Sequence, residues 1–244
     1  TKEFEFLRVV FGVSASPFLA QLVSRVNARK YVDKYTRAAE VIEDSTYMDD
    51  CLDSVNSEED AIKLYIELKE IWQKAGMKTR KWVTNSKTVL QKIPKEERSV
   101  EAEICNGEDR IITVLGLKWL SEEDAFVFQV QSTLQGKISK RKLLSIIARI
   151  FDPMGFLSAY IITAKILIQE AWIKGLEWDE GFPSDLAMRA DNWINGISKL
   201  NEIKIERRLL KESDSKAELH IFVDASKDAY GAVAYVRQQT SGGI

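Results

Sequence analysis

Tyr47-Met48-Asp49-Asp50 places two adjacent carboxylates between a short extended run, Val41 and Ile42 followed by Tyr47, and a second run from Cys51 to Val55. Adjacent acids repel. In a strand-turn-strand, neighbouring side chains diverge to opposite faces, so a tight turn is the geometry that presents one or both at an exposed tip. Two readings of the pair stand side by side. An acidic turn of this kind is commonly just solvated. Alternatively, hard, octahedral Mg²⁺ takes one or two carboxylates together with substrate phosphate oxygens. Two such ions clamp the attacking and the leaving oxygen of a phosphoryl transfer.

Around that pair the chain has the composition of a soluble globular protein: 244 residues, 45% hydrophobic and 30% charged. The longest apolar-rich stretch, Phe156 to Ile173, is interrupted by Lys165, Gln169 and Glu170. It therefore reads as a buried helix and not as a membrane span. Cys51 and Cys105 have no paired or metal-ligand spacing, and the single histidine, His220, leaves no zinc site to assemble. With no signal-peptide pattern in view, these features fit a reducing compartment, hence an intracellular, cytoplasmic location and no membrane partner. The net charge of −2 argues against nucleic-acid binding as a bulk property, yet its distribution is blocked. Residues 1–40 carry seven basic and four acidic side chains, 41–70 two and ten, 71–100 eight and two, and 131–150 five and none. An acidic segment between basic ones suits a metal site that handles phosphates; the simpler alternative is a set of solvated faces.

Upstream of the pair, Phe4 to Phe11 is rich in Phe, Val and Leu and reads as a strand leading to Gly12. Ser16-Pro17 then reads as N-cap and first helical position, with Phe18, Leu19, Leu22, Val23 and Val26 on the inward face of a helix to about Arg29. Downstream, Ser57 caps the clearest helix, whose Glu58, Glu59 and Asp60 complement its dipole and whose stripe runs from Ala61 to Ala75 before Gly76 ends it. Lys78, Arg80, Lys81 and Trp82 interleave cations with an aromatic ring, as a phosphate-facing loop or an ordinary surface would. Residues 88–110 read as a charged connection with a turn at Asn106-Gly107. Ile111 to Leu117 reads as a strand, and Trp119-Leu120 with Phe126-Val127-Phe128 as a hairpin across Ser121 to Asp124.

From Ser139 the pattern is helical. Leu143, Leu144, Ile146, Ile147 and Ile150 make an apolar face, with Lys140, Arg141, Lys142 and Arg149 around it. Asp152-Pro153 and Gly155 break that helix, Phe156 to Gly175 forms a longer one, and a third starts at Gly181-Phe182-Pro183-Ser184 with Leu186, Trp193, Ile194 and Ile197 inward. Lys199 to Lys216 reads as a charged connection. Leu219 to Val223 and Ala232 to Val236 then form a hairpin whose first strand ends in Asp224-Ala225-Ser226.

Four of these segments, in this order, resemble a reverse transcriptase. Phe11-Gly12-Val13-Ser14-Ala15-Ser16-Pro17-Phe18 looks like the family's substrate-side motif, and Tyr47-Met48-Asp49-Asp50 is similar to its catalytic Tyr-x-Asp-Asp hairpin. The run Ala75 to Ser86 and then Val114-Leu115-Gly116-Leu117-Lys118-Trp119 look like the next two palm motifs, the second being the primer grip. The wording is closest to the BEL/Pao class of long-terminal-repeat retrotransposon polyproteins, and the strand ending at Asp224 looks like the opening of a ribonuclease H domain.

The resemblance implies an α+β fold in three parts. Residues 1–130 would be a partial polymerase palm, an antiparallel sheet with helices on one face; 131–212 a helical thumb or connection; and 213–244 the truncated start of a ribonuclease H-like fold. It implies Asp49 and Asp50 as catalytic ligands of Mg²⁺ or Mn²⁺, and Asp224 as the first metal-binding acid of the separate ribonuclease H unit. Lys81, or Lys78 as the alternative at that position, would help protonate the pyrophosphate leaving group. Gly12, Ser16, Pro17, Tyr47 and Met48 would line the nucleotide side, and Leu115, Gly116 and Trp119 would hold the primer end. The implied partners are an RNA/DNA primer-template, deoxynucleotide triphosphates, upstream fingers and palm, and downstream ribonuclease H and integrase segments. The third palm carboxylate of the family precedes the Gly12 motif, so activity of these residues alone is not expected. The rival reading is a non-catalytic nucleic-acid-binding or scaffold remnant of such a polyprotein. The region is also catalogued in this class as an aspartic peptidase, but no Asp-Thr-Gly or Asp-Ser-Gly triplet occurs in the chain.

Overall fold

A computed structural model describes residues 3, 5–100, 111–131, 136–211 and 215–239. The fold mixes helices with short antiparallel sheets, an α+β arrangement. It divides into two compact units, residues 1–108 and 109–244, each taken by itself below.

The first unit is a helical cluster carrying one very small hairpin. Helix α1 (Ser16–Arg29), α2 (Thr36–Asp44) and α3 (Glu58–Lys74) surround a core of Ala28, Ala38, Ala39, Val41, Ile42, Leu64, Leu68, Ile71 and Trp72. The alanines let helix backbones approach closely. Two polar contacts complete the packing: the Trp72 indole N–H donates to Ser24 Oγ at 2.8 Å, and the Asn27 amide donates to the Ile71 carbonyl at 2.7 Å. Helix α3 starts as its sequence demands, with Ser57 Oγ accepting from the Asp60 N–H and three acids in the first turn; it stops at Gly76, whose φ of 71° suits a residue without a Cβ. Strands β1 (Thr46–Tyr47) and β2 (Asp50–Cys51) pair antiparallel, and α4 (Lys87–Lys92), capped by Ser86 Oγ, lies within what reads in sequence as a connection.

Three expectations fail in this unit. Val41 and Ile42 are not extended but lie in α2, because Ala38, Ala39, Val41 and Ile42 together form one fully inward helical face. Residues 5–11 form no strand; strands need a ladder partner, and none of the described strands runs beside them. The presumed inward face of α1 is outward. Phe18, Leu19, Leu22, Val23 and Val26 are exposed, while Ser24, Asn27 and Ala28 are buried, since the small and hydrogen-bonding residues are the ones that fit against Ile71 and Trp72.

The second unit opens with a four-stranded antiparallel sheet in the order β3 (Ile111–Val114), β4 (Leu117–Leu120), β5 (Ala125–Val127), β6 (Lys204–Glu206). The expected single strand from Ile111 to Leu117 is two strands. Leu115 and Gly116, at φ 48° and 85°, make a two-residue loop with the positive φ pair of a type I′ turn, which returns Val114 onto Leu117. Strand β6 falls inside the expected charged connection; it is only three residues long, and Lys204 at its start and Arg207 just after it make ion pairs to Glu123 and Asp124.

Behind this sheet, α5 (Lys140–Ala148), α6 (Ser158–Ile173) and α7 (Ser184–Gly196) enclose a core that includes Leu143, Ile146, Ile147, Ile150, Leu157, Leu167, Leu186, Trp193, Ile194 and Ile197. Asp152 shapes the break between α5 and α6, its carboxylate accepting the N–H groups of Phe156 at 2.9 Å and Leu157 at 2.7 Å. Tyr160 and Trp193 lock α6 to α7 by exchanging side-chain-to-carbonyl hydrogen bonds, with their rings stacked 5.1 Å apart. Lys140 is not on the solvent edge of α5: it is 1% exposed, with its ammonium 3.3 Å from the centre of the Trp172 ring. Strands β7 (Ala217–Ala225) and β8 (Tyr230–Gln238) form a nine-rung ribbon, longer than its sequence pattern indicates. Leu219, Ile221 and Val223 project from one face of β7 and Phe222 from the other, all exposed. The expected turn at Asn106-Gly107, and Cys105, lie outside the described residues.

Candidate active-site hairpin

The two-residue loop Met48-Asp49 closes β1 onto β2, with Tyr47 paired opposite Asp50. Asp49 therefore sits in the loop and Asp50 begins the returning strand, both exposed. Met48 takes φ 55° while Asp49 does not share it, the φ pattern of a type II′ turn, which favours glycine at the first loop position. A side chain held there costs about 1 kcal/mol of backbone strain, and such strain concentrates at functional turns. The Met48 side chain is met from α1, where the Gln21 amide lies 3.4 Å from its sulfur. Below the tip, burial pushes the Cys51 thiol up, which keeps it protonated and inert.

The substrate-side motif is placed one helical turn before that contact. Gly12 has φ 85°, Pro17 lies in the first turn of α1, and Ser16 does not cap the helix: its hydroxyl donates to the Val10 carbonyl, and Ala15 holds the N-cap position. Through Gln21, α1 is thus brought to the hairpin tip.

The basic loop is anchored by its tryptophan. Trp82 exchanges backbone hydrogen bonds with Glu97 and Ser99 and sets its ring edge-on to Tyr65 at 4.9 Å. The Tyr65 hydroxyl and the Lys69 ammonium both donate to Glu97 at 2.6 Å. Burial works against the Glu97 carboxylate, but these two donors hold it below its usual range; Glu97 in turn raises Lys69. This lock is invisible in sequence except for the Tyr65–Lys69 spacing of four on a helix. Lys81 stands out of it, exposed at φ 60°. Among the described residues no hydrogen bond or ion pair joins Lys81 to Asp49 or Asp50.

In the second unit, Leu115 and Gly116 form the β3–β4 turn, and the Trp119 indole donates to Asp124 at 3.0 Å, an acid also forked by Arg207. The basic first turn of α5 is largely engaged. Lys140 is buried beneath Trp172, and Arg141 pairs with Asp179 at 2.7 Å. Asp224 lies exposed near the end of β7, paired with Gly231, its carboxylate accepting the Ala225 N–H at 2.9 Å.

Asp49 and Asp50 supply hard oxygen donors that suit one Mg²⁺ with water and phosphate completing its shell. Among the described residues there is no group of three or more His, Cys, Asp or Glu side chains placed to hold a metal, so these acids do not by themselves fit a two-ion set. No described helix is long and apolar enough to cross a membrane.

Residues 139–244 match the family model described as the Pao retrotransposon-like RNaseH-like domain. No curated protein and no solved structure matches the chain.

Proposed function

We propose, from the premise that residues 139–244 are a region of a BEL/Pao-type retrotransposon polyprotein, that the whole chain is a segment of its reverse transcriptase and ribonuclease H region. The observation that carries this reading is the exposed Asp49-Asp50 pair on a two-residue turn whose Met48 is held in a left-handed conformation. Asp49 and Asp50 bind a divalent ion, which supplies charge neutralisation at the nucleotide phosphates. Gly12, Ser16, Pro17, Tyr47 and Met48 form the nucleotide side of the site, and Lys81 serves as proton donor to the leaving pyrophosphate. Leu115, Gly116 and Trp119 hold the primer end, residues 131–212 act as the thumb, and Asp224 is the first acid of the ribonuclease H unit. The nucleic-acid partner is a primer-template duplex.

Titration of isotope-labelled chain with Mn²⁺ tests the metal assignment. Paramagnetic broadening should centre on the amides of residues 47–51 and vanish in Asp49→Asn, whereas broadening centred elsewhere and unaffected by that change would refute it. A second reading, a nucleic-acid-binding remnant without chemistry, is favoured by one observation, that Asp49 and Asp50 have no third acid grouped with them among the described residues. Primer extension separates the two. Extension that Asp49→Asn abolishes supports the polymerase; duplex binding without extension, in protein joined to the other polyprotein segments, supports the remnant.

A further inference from the structure

We infer that Phe151 is a positioning residue for the β3–β4 turn and acts through Gly116. A Cβ built at Gly116 would lie 2.7 Å from Phe151 Cε1 and 2.9 Å from Cζ, so the ring rests directly on the glycine backbone. Burial does not explain the placement, because Phe151 is 53% exposed. Its backbone does. Ile150 on one side is 6% exposed, and on the other Asp152 accepts the N–H groups of Phe156 and Leu157, while the Phe156 ring packs 6.4 Å from Phe126 on β5. The loop is pinned at both ends, and Phe151 is the side chain it extends to the turn.

What the ring braces is strained. Leu115 occupies φ 48°, where a side chain without a special partner is disfavoured, and it is 41% exposed at the apex. Gly116 is required twice over, by its φ of 85° and by the ring above it. Without Phe151 the turn keeps its hydrogen-bond register but loses the contact that fixes its apex. This inference rests on the reading that the β3–β4 turn meets the primer, and it adds the residue that holds that turn in place for it.

The test uses residues 1–244 with Phe151→Ala, Phe151→Leu and Gly116→Ala, read in two ways. Amide hydrogen exchange needs no nucleic acid: all three variants should exchange about tenfold faster at Val114 and Leu117, the pair that closes the turn, the factor for 1.4 kcal/mol of easier local opening. Exchange at the α5–α7 core should stay unchanged, which separates loss of the brace from general unfolding. Photocrosslinking from a thiolated base at the primer 3′ end should label residues 111–119 in the parent chain, with about tenfold less yield at the turn in each variant if positioning is lost to the same degree. Unchanged exchange at Val114 and Leu117 in Phe151→Ala overturns the inference alone. A parent chain that binds the duplex but crosslinks elsewhere overturns the primer reading and the inference with it, a failure visible before any variant is made.

Discussion

Replacing Lys140 with methionine removes a charge from one of the least exposed sites in the molecule while keeping an unbranched chain of similar length. Lys140 is 1% exposed; its ammonium lies 3.3 Å from the Trp172 ring centre and 5.6 Å from that of Trp178, and no carboxylate among the described residues pairs with it. The two sides of the balance differ in size. A desolvated cation–π contact contributes about 2 kcal/mol, whereas taking an ammonium out of water costs several kcal/mol per ion. The apolar replacement keeps its contact with the indoles and restores none of that cost. Lys140→Met should therefore stabilise the second unit by about 1–3 kcal/mol, read as a shifted urea midpoint at constant slope in tryptophan fluorescence. Trp172→Ala should do the opposite, because it removes the nearer of the two rings over the ammonium together with the indole's apolar packing on the lysine stem. Destabilisation of more than about 1 kcal/mol by Lys140→Met would refute the reasoning and mean that the ammonium engages an acceptor that outweighs its desolvation.

Asn27→Ala strands the Ile71 carbonyl in the core of the first unit and should cost about 1–3 kcal/mol in chemical denaturation; a change within 0.5 kcal/mol, roughly the scatter of neutral surface substitutions, would contradict that packing. Glu97 has a lowered carboxyl pKa in the fold, so its contribution is present above the unfolded value of about 4.3 and is lost as pH falls through the folded one. Glu97→Gln should remove that share of the acid slope in a stability profile between about pH 5 and 3, and an unaltered profile would show the Lys69–Glu97–Tyr65 lock to be inert. Duplex binding by the chain should weaken steeply as salt rises, since phosphate contacts release counterions, and Asp49→Asn should leave that slope unchanged; a slope that follows Asp49 would place the duplex on the hairpin and not on the basic surfaces.

The helices were legible wherever caps and stripes agreed. Ser57 with its acidic first turn marks α3, Asp152-Pro153 and Gly155 mark the break after α5, and Leu186, Trp193, Ile194 and Ile197 point inward as their spacing requires. The Asp49-Asp50 turn was legible from the cost of holding two acids together. The remainder was hidden because it depends on partners distant in sequence. The orientation of α1 is decided by Trp72 and Ile71 across forty-odd residues, not by its own apolar stripe. Lys140 looks like any surface lysine until Trp172 covers it. Leu115-Gly116 lacks the Asn-Gly wording of an ordinary type I′ turn, so the reversal between β3 and β4 does not show, and the ring that braces it comes from a loop thirty-odd residues later.

The β7–β8 ribbon has a consequence for how this molecule behaves in company. Among the described residues its nine rungs form a two-stranded sheet by themselves, so the outer backbone N–H and C=O groups of each strand point away from the partner strand. Its charges cluster toward the ends, at Glu218 and Arg237 on one and Asp224, Lys227 and Asp228 on the other. From Ile221 to Val223 and from Ala232 to Tyr235 there is no charge to act as a gatekeeper. A bare edge beside an uncharged, β-prone middle is a template for further strands. Association through that edge should therefore grow with concentration and be suppressed by whatever segment covers it.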